Sequence, residues 1–154
     1  MIAAYKRAYI KDITTMDTLS WARVQGFLTR WEMAKMIVNY AINILWKQLD
    51  TTKQASFKDL NLESQEMKGY INQAYQLWLM GVNVINFNPQ WLVTRGEFAT
   101  VLARLLYGEE AKGTGFYYDK PIEILRQNGV IKNTNPLMQE VRWYVMLMLM
   151  RSSQ

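Results

Sequence analysis

Two arginines occupy the same place in a short motif that occurs twice. Residues 28–33 read Leu-Thr-Arg-Trp-Glu-Met, and residues 93–98 read Val-Thr-Arg-Gly-Glu-Phe. Thr-x-x-Glu between apolar residues is typical of a helix start, where the Thr hydroxyl and the Glu carboxylate each bind a free backbone N–H. Arg30 and Arg95 are not explained in this way, because a positive charge in the first turn opposes the helix dipole. A guanidinium can instead bind a carboxylate through two parallel hydrogen bonds, so we consider both arginines candidate ligand contacts.

The carboxylates of the same motif are the residues best placed to act in an enzyme. The chain contains no histidine and no cysteine, which excludes thiol nucleophiles, Cys/His metal sites and histidine-based triads. Glu32 and Glu97 could in principle form the carboxylate pair that a glycosidase needs. Helix capping, with Thr29 and Thr94 as partners, already accounts for them. We therefore expect a non-catalytic protein without a metal or cofactor.

Composition indicates one globular domain with an anionic partner. The 154 residues are 50% hydrophobic and 20% charged, and the net charge is +5. This charge favours a polyanionic partner, such as nucleic acid, an acidic glycan or a membrane surface, or serves solubility alone. The basic residues are scattered and form no recognised nucleic-acid motif. The longest apolar run, 143–150, is far shorter than the roughly 20 residues that span a bilayer. We expect no signal peptide in this chain, no membrane insertion and a monomeric domain.

The apolar periodicity predicts an all-α fold. Gly81 is expected to end the third helix in a left-handed conformation, and Asn135-Pro136 to begin the last one. Asp119 is expected to be the N-cap of the fifth helix, and Gly129 to end it. Trp21, in an irregular segment, is interpreted as a core anchor, with an exposed sugar-stacking indole as the alternative. The last helix is apolar nearly all round, which places it in the centre of the molecule with its methionines in the core. The predicted helices cover residues 2–11, 29–47, 64–80, 94–107, 119–128 and 135–151.

These elements form three units, each with a short helix, a turn, a loop and a long helix. The units cover about 1–49, 57–108 and 116–151, and each is too small to bury its own helix faces, so the three should share one core. Aligning Arg95 with Arg142 gives the third unit an arginine at the same position. The separations from turn to arginine are 18 residues for Asp12–Arg30, 14 for Gly81–Arg95 and 13 for Gly129–Arg142.

The second unit resembles an S-layer homology repeat. It contains Phe57-Lys58-Asp59-Leu60, then Gly81, then Phe87-Asn88-Pro89, and finally the Thr-Arg-x-Glu motif. The first unit keeps mainly Thr-Arg-x-Glu, and the third keeps the glycine turn and the arginine. The resemblance to the triple repeats at the C-termini of bacterial surface-layer proteins implies a pseudo-threefold bundle with a central three-helix core. It also implies a cell-surface location and grooves between units that bind an anionic, often pyruvylated, secondary cell-wall polysaccharide.

Carried over by position, the family's ligand-contacting arginine falls on Arg30, Arg95 and Arg142. A helix that began at Asn135 would place Arg142 in mid-helix, so binding is expected mainly in the first two units. Trp31 and Gly96 replace the usual alanine of the family. The sequence leaves open whether Trp31 stacks on a sugar or blocks a groove.

Two further positions complete the candidate site. Gly81 and Asp59 belong to the resembling motifs, although a turn or cap role also suits Asp59. The main alternative to glycan binding is a helical protein–protein interaction domain, for which six tryptophans and nine tyrosines provide anchors.

Overall fold

A computed structural model describes residues 1–16, 23–112 and 117–154. Within these ranges the chain is all-helical, and no regular strand is present. The predicted fold class is therefore confirmed. The predicted anchor Trp21 lies outside the described residues. The helices are α1 (Ile2–Ile10), α2 (Arg30–Asn43), α3 (Gln65–Gln76), α4 (Arg95–Tyr107), α5 (Asp119–Gln127) and α6 (Arg142–Ser152), and a short 3-10 turn (Gly108–Ala111) follows α4.

The long helices α2 and α4 begin where the Thr-x-x-Glu motif predicts. Thr29 and Thr94 have extended backbone, and each side chain accepts the N–H of the glutamate three residues later. Only the second copy forms the complete capping box, with the Glu97 carboxylate bound to the Thr94 N–H at 3.4 Å. The Glu32 carboxylate instead accepts a hydrogen bond from the Thr29 hydroxyl at 2.7 Å.

The predicted start of the last helix at Asn135 is wrong. Helix α6 begins at Arg142, and the Asn135 side chain accepts the Leu137 N–H at 3.1 Å in a local turn. The backbone carbonyls of Pro136 and Met138 accept hydrogen bonds from the N-terminal turn of α4, which holds 136–141 in a non-helical path. Tertiary pairing overrides the local helix-start signal, and Arg142 becomes the first residue of its helix.

Two helices end earlier than predicted, because a tryptophan adopts a left-handed conformation. Helix α3 ends at Gln76 and is followed by Trp78 at φ +59°, so Gly81 is not its cap. Helix α2 ends at Asn43 and is followed by Trp46 at φ +57°. Gly81, at φ +77°, lies in a later turn over the Phe57 ring.

At the start of α5 the predicted boundary also shifts. Asp119 was expected as the N-cap, but it is the first helical residue and Tyr118 is the N-cap. The end of α5 agrees within one residue, since the chain turns at Gly129 with φ +73°. A carboxylate at Asp119 still lies near the positive end of the helix dipole, which is favourable.

A ring of backbone hydrogen bonds joins the segments that precede α2, α4 and α6. Leu28 N–H donates to the Glu140 carbonyl at 3.0 Å, Val93 N–H to the Leu28 carbonyl at 2.9 Å, and Glu140 N–H to the Val93 carbonyl at 2.7 Å. These three residues are completely buried. Isolated antiparallel bridges flank the ring at Phe27–Val141, Thr29–Leu92 and Thr94–Gln139. Each segment therefore receives its partners from the other two.

The short helices pack on the long helices in the same cyclic order as the backbone ring. Helix α3 packs on α2, α5 packs on α4, and the N-terminal α1 packs on the C-terminal α6. On α6, Val145, Met146, Met148 and Leu149 are buried, which agrees with the predicted core role of the methionine-rich end. In the part of the chain that the structure describes, no helix is long and apolar enough to cross a membrane.

Candidate ligand-binding groove

Arg30, Arg95 and Arg142 share one backbone position but have different partners. Each is the first residue of its helix, and each backbone N–H donates to a carbonyl of a neighbouring segment: Trp91, Met138 or Gly26. The alignment of the three arginines therefore agrees with their backbone environment. What lies opposite each side chain decides its chemistry.

Arg95 forms a buried ion pair. Its Nε and one Nη donate to the two carboxylate oxygens of Glu140 at 2.5 and 2.8 Å, and the other Nη donates to the Asn133 carbonyl at 2.9 Å. The side chains of Arg95 and Glu140 are 4% and 0% exposed. The structure therefore places this guanidinium in the interior, where it compensates the charge of Glu140, and not in a groove.

Arg142 is also paired within the protein. Its Nε donates to the Glu32 carboxylate at 2.6 Å, and one Nη contacts the same oxygen. The two side chains are 15% and 21% exposed. The other motif glutamate, Glu97, is engaged at the N-terminus of α4, as the capping interpretation predicted. Both carboxylates therefore have structural partners.

Arg30 is held in place but has no paired carboxylate. Its Nε donates to the Phe87 carbonyl at 2.8 Å, and the guanidinium lies 4.9 Å from the centre of the Phe87 ring. Among the described residues, its two Nη groups have no hydrogen-bond acceptor and no carboxylate forms an ion pair with it. Burial lowers the pKa of Arg30 from its usual value, partly offset by Glu97, Asp59 and Tyr117. The side chain remains a cation with unused donors.

The motif residues of the second unit build the support for Arg30. The Asp59 carboxylate accepts the N–H groups of Phe87 and Asn88 at 2.9 and 2.6 Å. The Phe57 ring packs edge-on against Phe87 at 5.4 Å. Asp59 therefore acts through the loop that positions Arg30, as the turn interpretation predicted, while its predicted ligand contact stays a prediction.

Arg30 lines an open groove of about 1270 Å³. The lining also includes Gly81, Glu97, Thr100, Arg104 and Tyr117. Ligand contact by Gly81 stays a prediction. Arg104 is anchored by donation to the Leu79 carbonyl at 3.0 Å. Burial raises the pKa of the Tyr117 hydroxyl, and the negative charge of Glu97 raises it further. Tyr117 therefore stays protonated at neutral pH and can donate a hydrogen bond.

The charges that line the groove leave an excess of cations. Glu109 pairs with Lys112 at 3.9 Å, and Asp50 pairs with Lys53 at 3.5 Å. Lys112 and Glu109 thus offset each other, and Asp50 is offset by a lysine that is not part of the lining. Arg30, Arg104 and Lys47 then face the single carboxylate of Glu97. This balance favours an anionic ligand.

Trp31 and Gly96 have packing roles in the structure. Trp31 is partly buried against the core and does not line the groove. Gly96 is buried, and a side chain there would meet the Tyr118 ring at 3.1 Å and the Pro136 carbonyl at 3.2 Å. Its lack of a side chain permits this close approach. Whether Trp31 stacks on a sugar stays a prediction.

The sequence interpretation missed several groove residues and the buried acid Glu140. Arg104, Tyr117 and Lys47 come from separate elements, and no motif joins them. Glu140 could have been found, because aligning Arg142 with Arg95 places it opposite Val93. A charged residue at an otherwise apolar aligned position predicts a buried ion pair.

Fold and groove together define a helical module with a cleft that has an excess of cationic side chains. Comparison with protein families identifies residues 56–99 as an S-layer homology domain. The predicted resemblance is therefore confirmed for this segment, which covers less than half of the chain and includes Asp59, Gly81 and Arg95. S-layer homology domains are cell-wall anchoring modules associated with surface layers. A search of curated proteins finds no match to the chain.

Proposed function

We propose that this chain is a non-catalytic anchoring module that binds an anionic secondary cell-wall polysaccharide at Arg30. The observation that carries the proposal is the difference among three equivalent arginines. Arg95 and Arg142 are each paired with a glutamate, whereas the two Nη groups of Arg30 have no acceptor among the described residues and Arg30 lines an open groove. A carboxylate on the polymer, such as that of a pyruvyl group, would complete the pairing in a two-pronged geometry.

The surroundings of Arg30 support a carboxylated sugar as the ligand. Partial burial reduces competition from water and strengthens an ion pair with a bound anion. Arg104 adds a second cation, and Tyr117 and Thr100 offer hydroxyl groups for hydrogen bonds to the sugar. The ligand-binding prediction thus narrows from three arginines to one, with Gly81 as part of the groove wall.

The three-unit organisation is part of the proposal. We assign units of about 1–49, 57–108 and 116–151 to one domain with pseudo-threefold symmetry. The ring at Leu28, Val93 and Glu140 supports this assignment, as does the cyclic packing of short helices on long ones. The module would act at the cell surface, where it holds a larger protein to the wall.

A protein–protein interaction domain is the second candidate, and one observation favours it. Phe27, Trp91, Leu92 and Leu137 are 50%, 65%, 41% and 72% exposed, and they lie next to the backbone ring or in the segments leading to it. Exposed apolar residues in one region are typical of an interface. Anchoring by this surface would not require Arg30.

The test is co-sedimentation of the chain with purified bacterial cell walls that retain their secondary polysaccharide. Arg30→Ala should reduce the bound fraction at least about tenfold, because a charge-assisted bidentate contact is lost. Its thermal midpoint should stay close to that of the wild type, since Arg30 leaves no buried carboxylate unpaired. Arg126→Ala is the matched control, because it removes the same charge from the exposed end of α5.

Two results would contradict the proposal. Undiminished sedimentation of Arg30→Ala would remove Arg30 from the site. Equal binding to walls stripped of secondary polysaccharide would exclude the polymer as the ligand. Binding to a surface-layer protein and not to the polysaccharide would favour the interaction domain.

A further inference from the structure

Two tryptophans occupy backbone positions that suit glycine or asparagine. Trp46 and Trp78 have φ values of +57° and +59°, in the left-handed region that a bulky residue rarely adopts. Both follow the C-terminus of a helix, where glycine is the usual residue. Their side chains are 80% and 48% exposed, so core packing does not explain the choice. Such strain at an exposed site indicates a functional role for the side chain.

The two rings differ in what they already contact. Trp78 lines the Arg30 groove, stacks near Tyr75 at 6.4 Å, and has the Lys53 ammonium 3.2 Å from its centre. In the described ranges, no aromatic ring or cation is stacked on Trp46. The faces of Trp46 are therefore available to a ligand.

Trp46 lines a second cavity, of about 650 Å³, between the ends of α1 and α2. The Asn43 side chain joins the two walls by donating to the Lys11 carbonyl at 3.3 Å. Lys11 and Lys47 contribute two cations to the lining, against the one carboxylate of Asp12. An aromatic face beside amide and ammonium groups suits a sugar, whose C–H face packs on the ring while its hydroxyl and acidic groups bind the polar side chains.

The second cavity adjoins the Arg30 groove. Lys47 and Gln48 line both. A polymer seated at Arg30 could therefore pass over these two residues and reach Trp46 without leaving the protein surface. Linked subsites raise affinity for a long chain more than for a short one, because the second contact is intramolecular.

We propose that the cavity at Trp46 is a second subsite for an anionic polysaccharide, which binds a sugar residue further along the chain that Arg30 holds. This inference rests on the proposed function and extends it to a polymer that spans two cavities. Trp46 supplies the stacking surface, and Lys11 and Lys47 supply the positive charge. The left-handed backbone fixes the direction in which the ring is presented.

The experiment measures calorimetric affinity for secondary cell-wall polysaccharide released from purified walls and separated by length. Trp46→Asn should bind fragments of several repeats about five- to tenfold more weakly and single-repeat fragments as tightly as the wild type. Asparagine accommodates the left-handed backbone, so the thermal midpoint should be equal to or above that of the wild type. Trp46→Phe should retain most of the affinity for long fragments, and Lys11→Gln should lose part of it.

The outcomes separate the two proposals. Equal affinity of Trp46→Asn and wild type for long fragments would overturn the subsite and leave the Arg30 site intact. Loss of affinity for short and long fragments alike would also overturn it, since Trp46 would then act on the first site. A wild type that binds neither fragment would overturn both proposals.

Discussion

A guanidinium at the start of a helix has no fixed function until its neighbour is known. Arg95 faces Glu140, Arg142 faces Glu32, and Arg30 faces a carbonyl and an aromatic ring. In the ring of backbone hydrogen bonds, the two residues equivalent to Glu140 are apolar, namely Leu28 and Val93. One acidic residue in this ring therefore converts a candidate binding arginine into a structural one.

The buried pair makes a residue-level prediction about stability. Arg95→Ala should lower the free energy of unfolding by about 3–5 kcal/mol, because Glu140 is left buried without a partner. The double variant Arg95→Met/Glu140→Leu should recover to within about 1.5 kcal/mol of the wild type, since it removes both charges and resembles the Leu28 environment. Urea denaturation measures both changes.

Arg142→Ala is the matched control for this measurement. Its pair with Glu32 is partly exposed, so water can solvate the remaining carboxylate and the loss should be about 1 kcal/mol. A loss at Arg95→Ala no larger than that at Arg142→Ala would show that the Glu140 pair is not desolvated as the structure has it.

At the scale of the element, the turns depend on residues with a left-handed backbone conformation, and residue type predicts these positions poorly. Glycine marks only some of them, since Asp12, Trp46 and Trp78 also have positive φ. The rule that glycine ends a helix therefore located Gly129 correctly and misplaced the end of α3. Gly81 is required for a different reason, since the Phe57 ring occupies the space a side chain would need.

These two glycines allow conformation and packing to be measured separately. Gly129→Ala should lower stability by about 1 kcal/mol, because it adds left-handed strain where, apart from the adjacent residues, no described atom lies within 4 Å of the new methyl group. Gly81→Ala should cost about 2–4 kcal/mol, since the same strain is joined by overlap with Phe57. Thermal unfolding should show a correspondingly larger drop for Gly81→Ala, and equal drops would contradict the packing role of Phe57.

At the scale of the whole molecule, stability depends on the ring of contacts that joins the segments before α2, α4 and α6. The segments before α2, α4 and α6 obtain their backbone partners from one another, and α1 covers α6 at the other end of the chain. Buried backbone groups that lose their partners are costly. Separate units should therefore not be independently stable, even though one of them matches a family model by itself.

A peptide of residues 56–108 tests this dependence. It should show partial helicity by circular dichroism and no cooperative thermal transition, because Val93 and Arg95 would lose the partners Leu28 and Met138. The full chain should unfold in one transition. A cooperative transition in the peptide would instead show that the second unit has a sufficient core of its own.

The fold was predictable to the extent that it depends on local patterns. Apolar periodicity and the two Thr-x-x-Glu motifs located α2 and α4 to the residue at their starts, because a capping threonine acts within four residues of itself. Asn135-Pro136 carried an equally strong local signal and was misleading. There, three hydrogen bonds to the segment around Arg95 outweigh the helix start.

The sequence by itself determined the all-α class, the placement of arginine at the start of a helix and the likeness of the second unit to an S-layer homology domain. Only the tertiary structure decided which of the three aligned arginines lacks a carboxylate partner in the part of the chain that the structure describes. Residue types and spacings specify what a side chain can do, because helix starts and periodicity are local. Whether Arg30, Arg95 or Arg142 meets a glutamate or an open groove depends on residues from 45 to 110 positions apart in sequence that folding brings together. That long-range pairing sets the electrostatics of the site.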